Sequence, residues 1–366
     1  MEKHQLKINQ SFVIPTRGVV KRKIFAWVLG KIKGGHLGIV EGSGHRRRDE
    51  KTTPTALFVF GDSYADTGNL PKALGPSWKQ PYGITFPGKP SGRFTDGRVF
   101  TDFLAKLLGL KSPIPYKWIK YAMHRLQYGM NFAYGGTGVF DTLILAPNLT
   151  TQIDIFEKLI KDSVYTKKDL ESSLFLVSVS GNDYNYYLAK GGTFPGLRAF
   201  TGRLMNQLVA DLKRIRGLGA KRIAVTNLAP LGCVPQNTAE FSFKHCNDTE
   251  SLACNYHNSL LQKAVVKLNK QTKASSYVVL DMFTSFSDIL HKKQGSRKFS
   301  SPLKPCCVGV KRGFICGDVD EKGVAMYKVC RDPTSAFFWD IIHPTQAGWN
   351  AVYTSLRSTL EHIISH

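Results

Sequence analysis

From residue 55 onward, short apolar-rich runs alternate with stretches of helical periodicity. Thr55 to Phe60 lies between Pro54 and Gly61, and Leu174 to Ser180 leads into Gly181, Asn182 and Asp183. Arg222 to Thr226 and Ser276 to Leu280 are two further runs. Such runs, mostly apolar on consecutive residues, predict strands buried on both faces. Between them, Phe100, Phe103, Leu104, Leu107 and Leu108 share one helical face, as do Phe200, Leu204, Leu208, Leu212 and Ile215. Further helices are predicted from Glu250 to Gln271 and from Thr345 to Ile363. Strands that alternate with helices need right-handed crossovers, which put helices on both faces of a parallel sheet. The predicted class is α/β, a three-layer α/β/α sandwich with a mostly parallel central sheet.

A chain of 366 residues, 42% apolar, can build one large core, and one domain is the preferred reading. The formal charge of +23 raises the question of nucleic acid, but no nucleic-acid-binding motif is present. Eleven Lys and Arg against four Asp and Glu precede residue 51, so +7 of the excess sits on a segment with little periodicity. The remainder is spread thinly, the pattern of a soluble basic surface with weak attraction to anionic polymers or membranes. A basic extension is therefore expected over residues 1–53, followed by a single domain over 54–366.

Within that extension, Lys21-Arg-Lys23 precedes the apolar run Ile24 to Leu29. The basic flank suits a signal peptide, but the run is short and deep in the chain and lacks a small-residue cleavage site. No segment approaches the roughly 18 uninterrupted apolar residues of a membrane span. Seven cysteines, at 233, 246, 254, 306, 307, 316 and 330, all fall in the second half. No pair has the spacing of structural zinc ligands, so disulfides are expected, with one cysteine left over. Sequons at Asn9, Asn148 and Asn247 agree with a secretory route.

Chemistry concentrates where strands stop. Gly61-Asp62-Ser63 delivers a serine to the carboxyl end of the first strand, where open α/β sheets place their ligands. The plainer reading of Ser63 is a helix N-cap. Asn131 to Gly138 is a strand-to-turn passage whose glycines allow close backbone approach. Near the end, Asp340 and His343 lie three apart before Pro344, which keeps them on a loop. There a carboxylate can stand beside an imidazole, fix its tautomer and stabilise the cation it forms on taking a proton.

Together these residues resemble the GDSL esterase/lipase family of the SGNH hydrolase superfamily, in particular its plant branch. Phe60 to Asn69 is similar to the first block, and Ser91 to Val99 to the segment that follows it. Asn131 to Gly136, Gly181 to Asp183 and Phe338 to Thr345 resemble blocks two, three and five, in order. Cys306, Cys307 and Cys330 also look like the branch. Tyr64 stands where the name motif has leucine, and the basic extension replaces the branch's clean signal peptide.

The resemblance implies the flavodoxin-like SGNH fold and a serine esterase or lipase working through an acyl-enzyme. Ser63 is the implied nucleophile, His343 the general base and then acid, and Asp340 its partner. The implied oxyanion donors are the backbone N–H of Ser63, that of Gly136 with Gly135 as alternative, and the Asn182 side chain. Asp62, Asp66 and Asn69 are expected to shape the turn. The family implies no metal or cofactor, a monomer, and an ester substrate such as an acyl lipid, an acylated small molecule or a cell-wall polymer. It also implies secretion to the apoplast, while the atypical leader leaves intracellular retention open. The rivals are an acyltransferase with the same triad, a silent binding protein on the same fold, and nucleic-acid binding through the extension.

Overall fold

Phe58 and Phe60 of β1 (Leu57–Gly61) pack to one side of a sheet, and Leu57 and Val59 to the other, all four with no solvent exposure. Successive strand side chains point to opposite faces, so a strand covered on both sides must be apolar throughout. The computed structural model describes residues 53–179, 181–272, 274–291 and 299–365. The expected basic extension, its apolar run and the Asn9 sequon lie outside these residues but for Thr53.

The sheet has six strands in the order β2 (Ile114–Pro115), β3 (Gly129–Asn131), β1, β4 (Leu174–Ser178), β5 (Arg222–Thr226) and β6 (Tyr277–Leu280). Every pairing is parallel, from Phe58 opposite Met130 on one side to Phe58 opposite Phe175 on the other. One face is covered by α2 (Leu149–Lys161), the short α3 (Lys167–Glu171), α4 (Gly181–Ala189), α5 (Leu197–Gly217) and α7 (Asp248–Thr272). Phe156 of α2 packs on the rings of Phe58 and Phe60 at 5.2 and 5.5 Å. The other face carries α1 (Phe100–Leu107), α8 (Met282–His291) and α9 (Gln346–Ser365). A single turn, α6 (Pro235–Thr238), precedes α7.

This is the predicted three-layer α/β/α sandwich with a parallel central sheet. Prediction and structure agree closely for β5, α7 and α9, whereas β1 begins at Leu57, two residues later than expected, with Thr55 N–H donating to Ser172 O at 3.0 Å ahead of it. The amphipathic α2 and α8, the two-residue strand β2 and a hairpin of β7 (Cys307–Gly309) with β8 (Tyr327–Val329) are additions to the predicted set. Strands of two or three residues carry too little pattern to be read locally.

After β1 the chain builds the β2 edge, returns beside β1 as β3, and then crosses to the opposite side of β1 for β4 to β6. The direction of winding therefore reverses around β1, and the crevice beyond the carboxyl ends of β3, β1 and β4 is the place such sheets use for ligands.

Three disulfides form, Cys233–Cys246, Cys306–Cys330 and Cys307–Cys316, and Cys254 keeps a buried thiol. The adjacent Cys306 and Cys307 thus staple two different segments onto one point. Asn148 caps α2 by accepting the Thr151 N–H at 2.9 Å, and donates to Asp141 at 2.7 Å.

Candidate active site

Beyond β1 the chain makes a tight turn in which the N–H groups of Ala65 and Asp66 both donate to Asp62 O, at 3.1 and 2.9 Å. The next α-helix begins at Phe100, so Ser63 is no α-helix N-cap. Gly61 adopts φ +150°, and a Cβ there would lie 2.2 Å from Ser178 O, so only glycine lets the strand end come this close to β4.

Ser63 Oγ lies 2.8 Å from His343 Nε2, and His343 Nδ1 lies 2.9 Å from both carboxylate oxygens of Asp340. All three are buried, His343 the most exposed at 9%. An ionised carboxylate only accepts, so Nδ1 carries the proton and the Nε2 lone pair faces the serine hydroxyl. Burial alone would raise the Asp340 carboxyl, but its attraction to the imidazolium that His343 becomes on taking a proton, and hydrogen bonds from the His343 ring, its N–H and that of Ile342, outweigh it and hold the group below the usual carboxylate range. The turn is compact because the Ile342 and His343 N–H groups bond Asp340 Oδ1 at 2.9 and 2.8 Å. Trp339 N–H donating to His343 O at 2.7 Å closes it.

The passage after β3 hooks onto the same strand end. Tyr134 N–H donates to Gly61 O at 3.0 Å, and Thr137 Oγ1 reaches the same oxygen at 3.3 Å. Gly135 N–H is engaged by Asp66 Oδ2 at 2.9 Å. Gly136, at φ +78°, and Ser63 keep backbone N–H groups without a hydrogen-bond partner among the described residues. Asn182, in the first turn of α4, donates from Nδ2 to Thr137 O at 2.9 Å, which brings its amide to this turn with a second N–H to spare.

Asp62, Asp66 and Asn69 form the frame. Asp66 accepts from Gly68, Asn69, Leu70 and Gly135, and Asn69 Nδ2 bridges Asn131 O and Ala133 O at 2.8 and 2.9 Å. Asp62 is pushed up to about 7, mainly by burial, against the pull of the Tyr64 N–H and of His343. Asp183 receives the N–H groups of Val139 and Phe140, and burial raises it to about 6.

A sequence profile of the GDSL-like lipase/acylhydrolase family matches residues 57–356. The chain belongs to that family. A GDSL esterase/lipase of Arabidopsis thaliana is 53% identical, the alignment covering 92% of this chain and 95% of the relative. A second from the same plant is 52% identical over 86% and 90%. Acetylajmalan esterase 2 of Rauvolfia serpentina is 32% identical over 80% and 86%. The chain is accordingly an ester hydrolase of the GDSL family.

Three parts of this GDSL site were invisible in the sequence. Tyr64 sends its hydroxyl to Ile342 O at 3.1 Å and rests edge-on against His343. Phe94 lies 4.9 Å from the imidazole centroid. Tyr82 donates to Asp340 Oδ2 at 2.8 Å. Each arrives from a segment distant in sequence, and no local pattern marks such an arrival. Among the described residues, the one grouping of potential metal ligands is Cys233, Cys246 and His291, and its two cysteines share a disulfide and offer no thiolate. No helix among the described residues is long and apolar enough to cross a membrane.

Proposed function

We propose that the hydrolysis proceeds through an acyl-enzyme on Ser63, with His343 as proton carrier and Asp340 as its partner. The observation that carries this reading is the 2.8 Å contact between Ser63 Oγ and His343 Nε2, made across 280 residues with Asp340 on the far nitrogen. Ser63 Oγ attacks the ester carbonyl carbon while its proton passes to Nε2. The resulting oxyanion is held by the N–H groups of Ser63 and Gly136 and the Asn182 amide, and the engagement of Gly135 by Asp66 supports Gly136 as the donor. Collapse breaks the bond to the alkoxide, which leaves as an alcohol with the proton from Nε2. Water, losing a proton to the same nitrogen, then attacks the acyl-enzyme and releases the acid and Ser63.

The substrate is a carboxylic ester drawn from acyl lipids, acylated small molecules or acylated polymers. The likeness to an enzyme named for an acetylated small molecule supports acetyl esters among them. Three disulfides support passage through an oxidising compartment and hence secretion. Recovery of the protein from cells with six additional free thiols would overturn the secretory part of the proposal.

The test compares p-nitrophenyl esters of increasing acyl length on the wild type and on Ser63→Ala, with intact-mass analysis after a fluorophosphonate probe. Turnover and a single adduct, both lost in the variant, are expected. Unchanged turnover in Ser63→Ala sinks the mechanism.

A further inference from the structure

We propose that Tyr82 is a positioning residue of the hydrolysis, its phenol O–H holding the Asp340 carboxylate in the orientation and charge distribution that His343 requires. The proposal rests on the roles given to Asp340 and His343 above. Tyr82 sits between Pro81 and Gly83 in the loop before the Ser91 to Val99 segment, and is 1% exposed. Its hydroxyl donates to Asp340 Oδ2 at 2.8 Å.

The donors around Asp340 are unevenly shared. Oδ1 receives the Ile342 N–H, the His343 N–H and the imidazole, all from its own turn. Oδ2 receives only the imidazole and Tyr82 among the described residues. Among the described residues, Tyr82 is thus the one side chain from another part of the chain that grips this carboxylate. A phenylalanine would fill the same apolar space, so packing alone does not call for the hydroxyl.

Donor and acceptor are fastened to one block. The Tyr82 ring meets Trp339 edge-on at 6.0 Å and belongs to a buried cluster with Cys306, Cys307 and Cys316. The N–H groups of Cys306 and Cys307 donate to Phe338 O and Trp339 O, at 2.9 and 2.7 Å, directly before Asp340. On the loop side, Tyr82 N–H bonds Lys79 O at 3.1 Å and Gly83 N–H bonds Thr95 O at 3.0 Å. Burial, and then the neighbouring Asp340, keep the phenol protonated far above its usual range, so the O–H is present at every working pH. A neutral donor on an ionised carboxylate makes a charge-assisted bond.

The direction of the effect follows. The O–H draws charge from Oδ2, so its loss leaves the carboxylate a stronger partner for a protonated imidazole. The acid limb of kcat/KM, below which the imidazole is protonated and idle, then moves to higher pH; Asp62 and Tyr64, the other titratable groups that face His343, are the same in both proteins. One tether fewer also lets the imidazole leave the serine line, which lowers kcat.

The experiment is Tyr82→Phe beside wild type and Asp340→Asn, on soluble p-nitrophenyl acetate, with melting curves for each. Expected for Tyr82→Phe are a fall of about tenfold in kcat, a KM within about twofold, and an acid limb about half a pH unit higher. Replacing Tyr82 by 3-fluorotyrosine, whose more acidic phenol donates more strongly, shifts the limb the other way and keeps the ring should the phenylalanine variant fold poorly. Adding Tyr82→Phe to Asp340→Asn costs little further, because the two act through one bond. A limb that moves in neither Tyr82 variant, with kcat following only the folded fraction, overturns the proposal while Asp340→Asn remains crippled. Full activity in Asp340→Asn overturns instead the reading on which it rests.

Discussion

Gln152, in the first turn of α2, grips both backbone groups of Gly61, accepting its N–H at 2.8 Å and donating to its carbonyl at 2.9 Å. Gly61 is the last residue of β1, two before Ser63, so the strand end that presents the serine is held by a helix 91 residues away. The same Nε2 reaches Pro147 O and Thr137 Oγ1, which ties the turn after β3 to the same point. Gln152→Ala leaves the Gly61 N–H buried and unpaired and is expected to cost about 2–4 kcal/mol, read from urea midpoints. Gln152→Glu keeps the acceptor and, when ionised, lacks the donor, so its deficit is larger at pH 8 than at pH 5. Equal deficits at both pH values would rule out the donor half of this grip.

Asn182 bonds Thr137 O with one amide hydrogen, and in the proposed mechanism the other holds the oxyanion. In Asn182→Ala, kcat is expected to drop about 10²- to 10³-fold, with KM nearly unchanged, because the bond strengthens only as charge develops. Melting temperature should fall only slightly, since one partly buried hydrogen bond is lost. Burst kinetics on p-nitrophenyl esters separate acylation from deacylation, and a rise in KM with kcat unchanged would remove Asn182 from the oxyanion site.

Away from the site, His257 is buried with Nδ1 2.9 Å from the Tyr184 hydroxyl, and burial lowers its pKa from 6.5 to about 3. The unfolded chain takes up a proton on this residue near pH 6.5 and the folded chain only near pH 3. Stability is therefore lost as pH falls through that window and is fully present above it. His257→Gln, whose side-chain amide can still hydrogen-bond the Tyr184 hydroxyl, should remove about 3 kcal/mol of the wild-type loss between pH 7.5 and pH 4.5. Parallel pH profiles of the two urea midpoints would refute this assignment.

The alternation of apolar runs and amphipathic stretches determined the layered parallel sheet. Burial on both faces leaves a local trace at every residue of a strand, as in Leu57 to Phe60. The strand end at Gly61, the stop of the Leu174 run at Gly181, the turn within Asn131 to Gly138 and the loop before Pro344 were likewise written in breaker residues, which act over one or two positions. The partners of those ends were not. Gln152 on Gly61, Asp66 on Gly135, Tyr82 on Asp340 and Tyr64 on Ile342 join segments 69 to 278 residues apart. Such bonds depend on which loops the completed sheet brings to its carboxyl edge. The pairing of Cys306 and Cys307 was undecided for the same reason, since adjacent cysteines share their sequence surroundings and differ only in which segment folds back against each. Sequence determined where polar groups leave the strands, because that is local chain chemistry; tertiary structure decided which of them meet, because a hydrogen bond is set by distance in space.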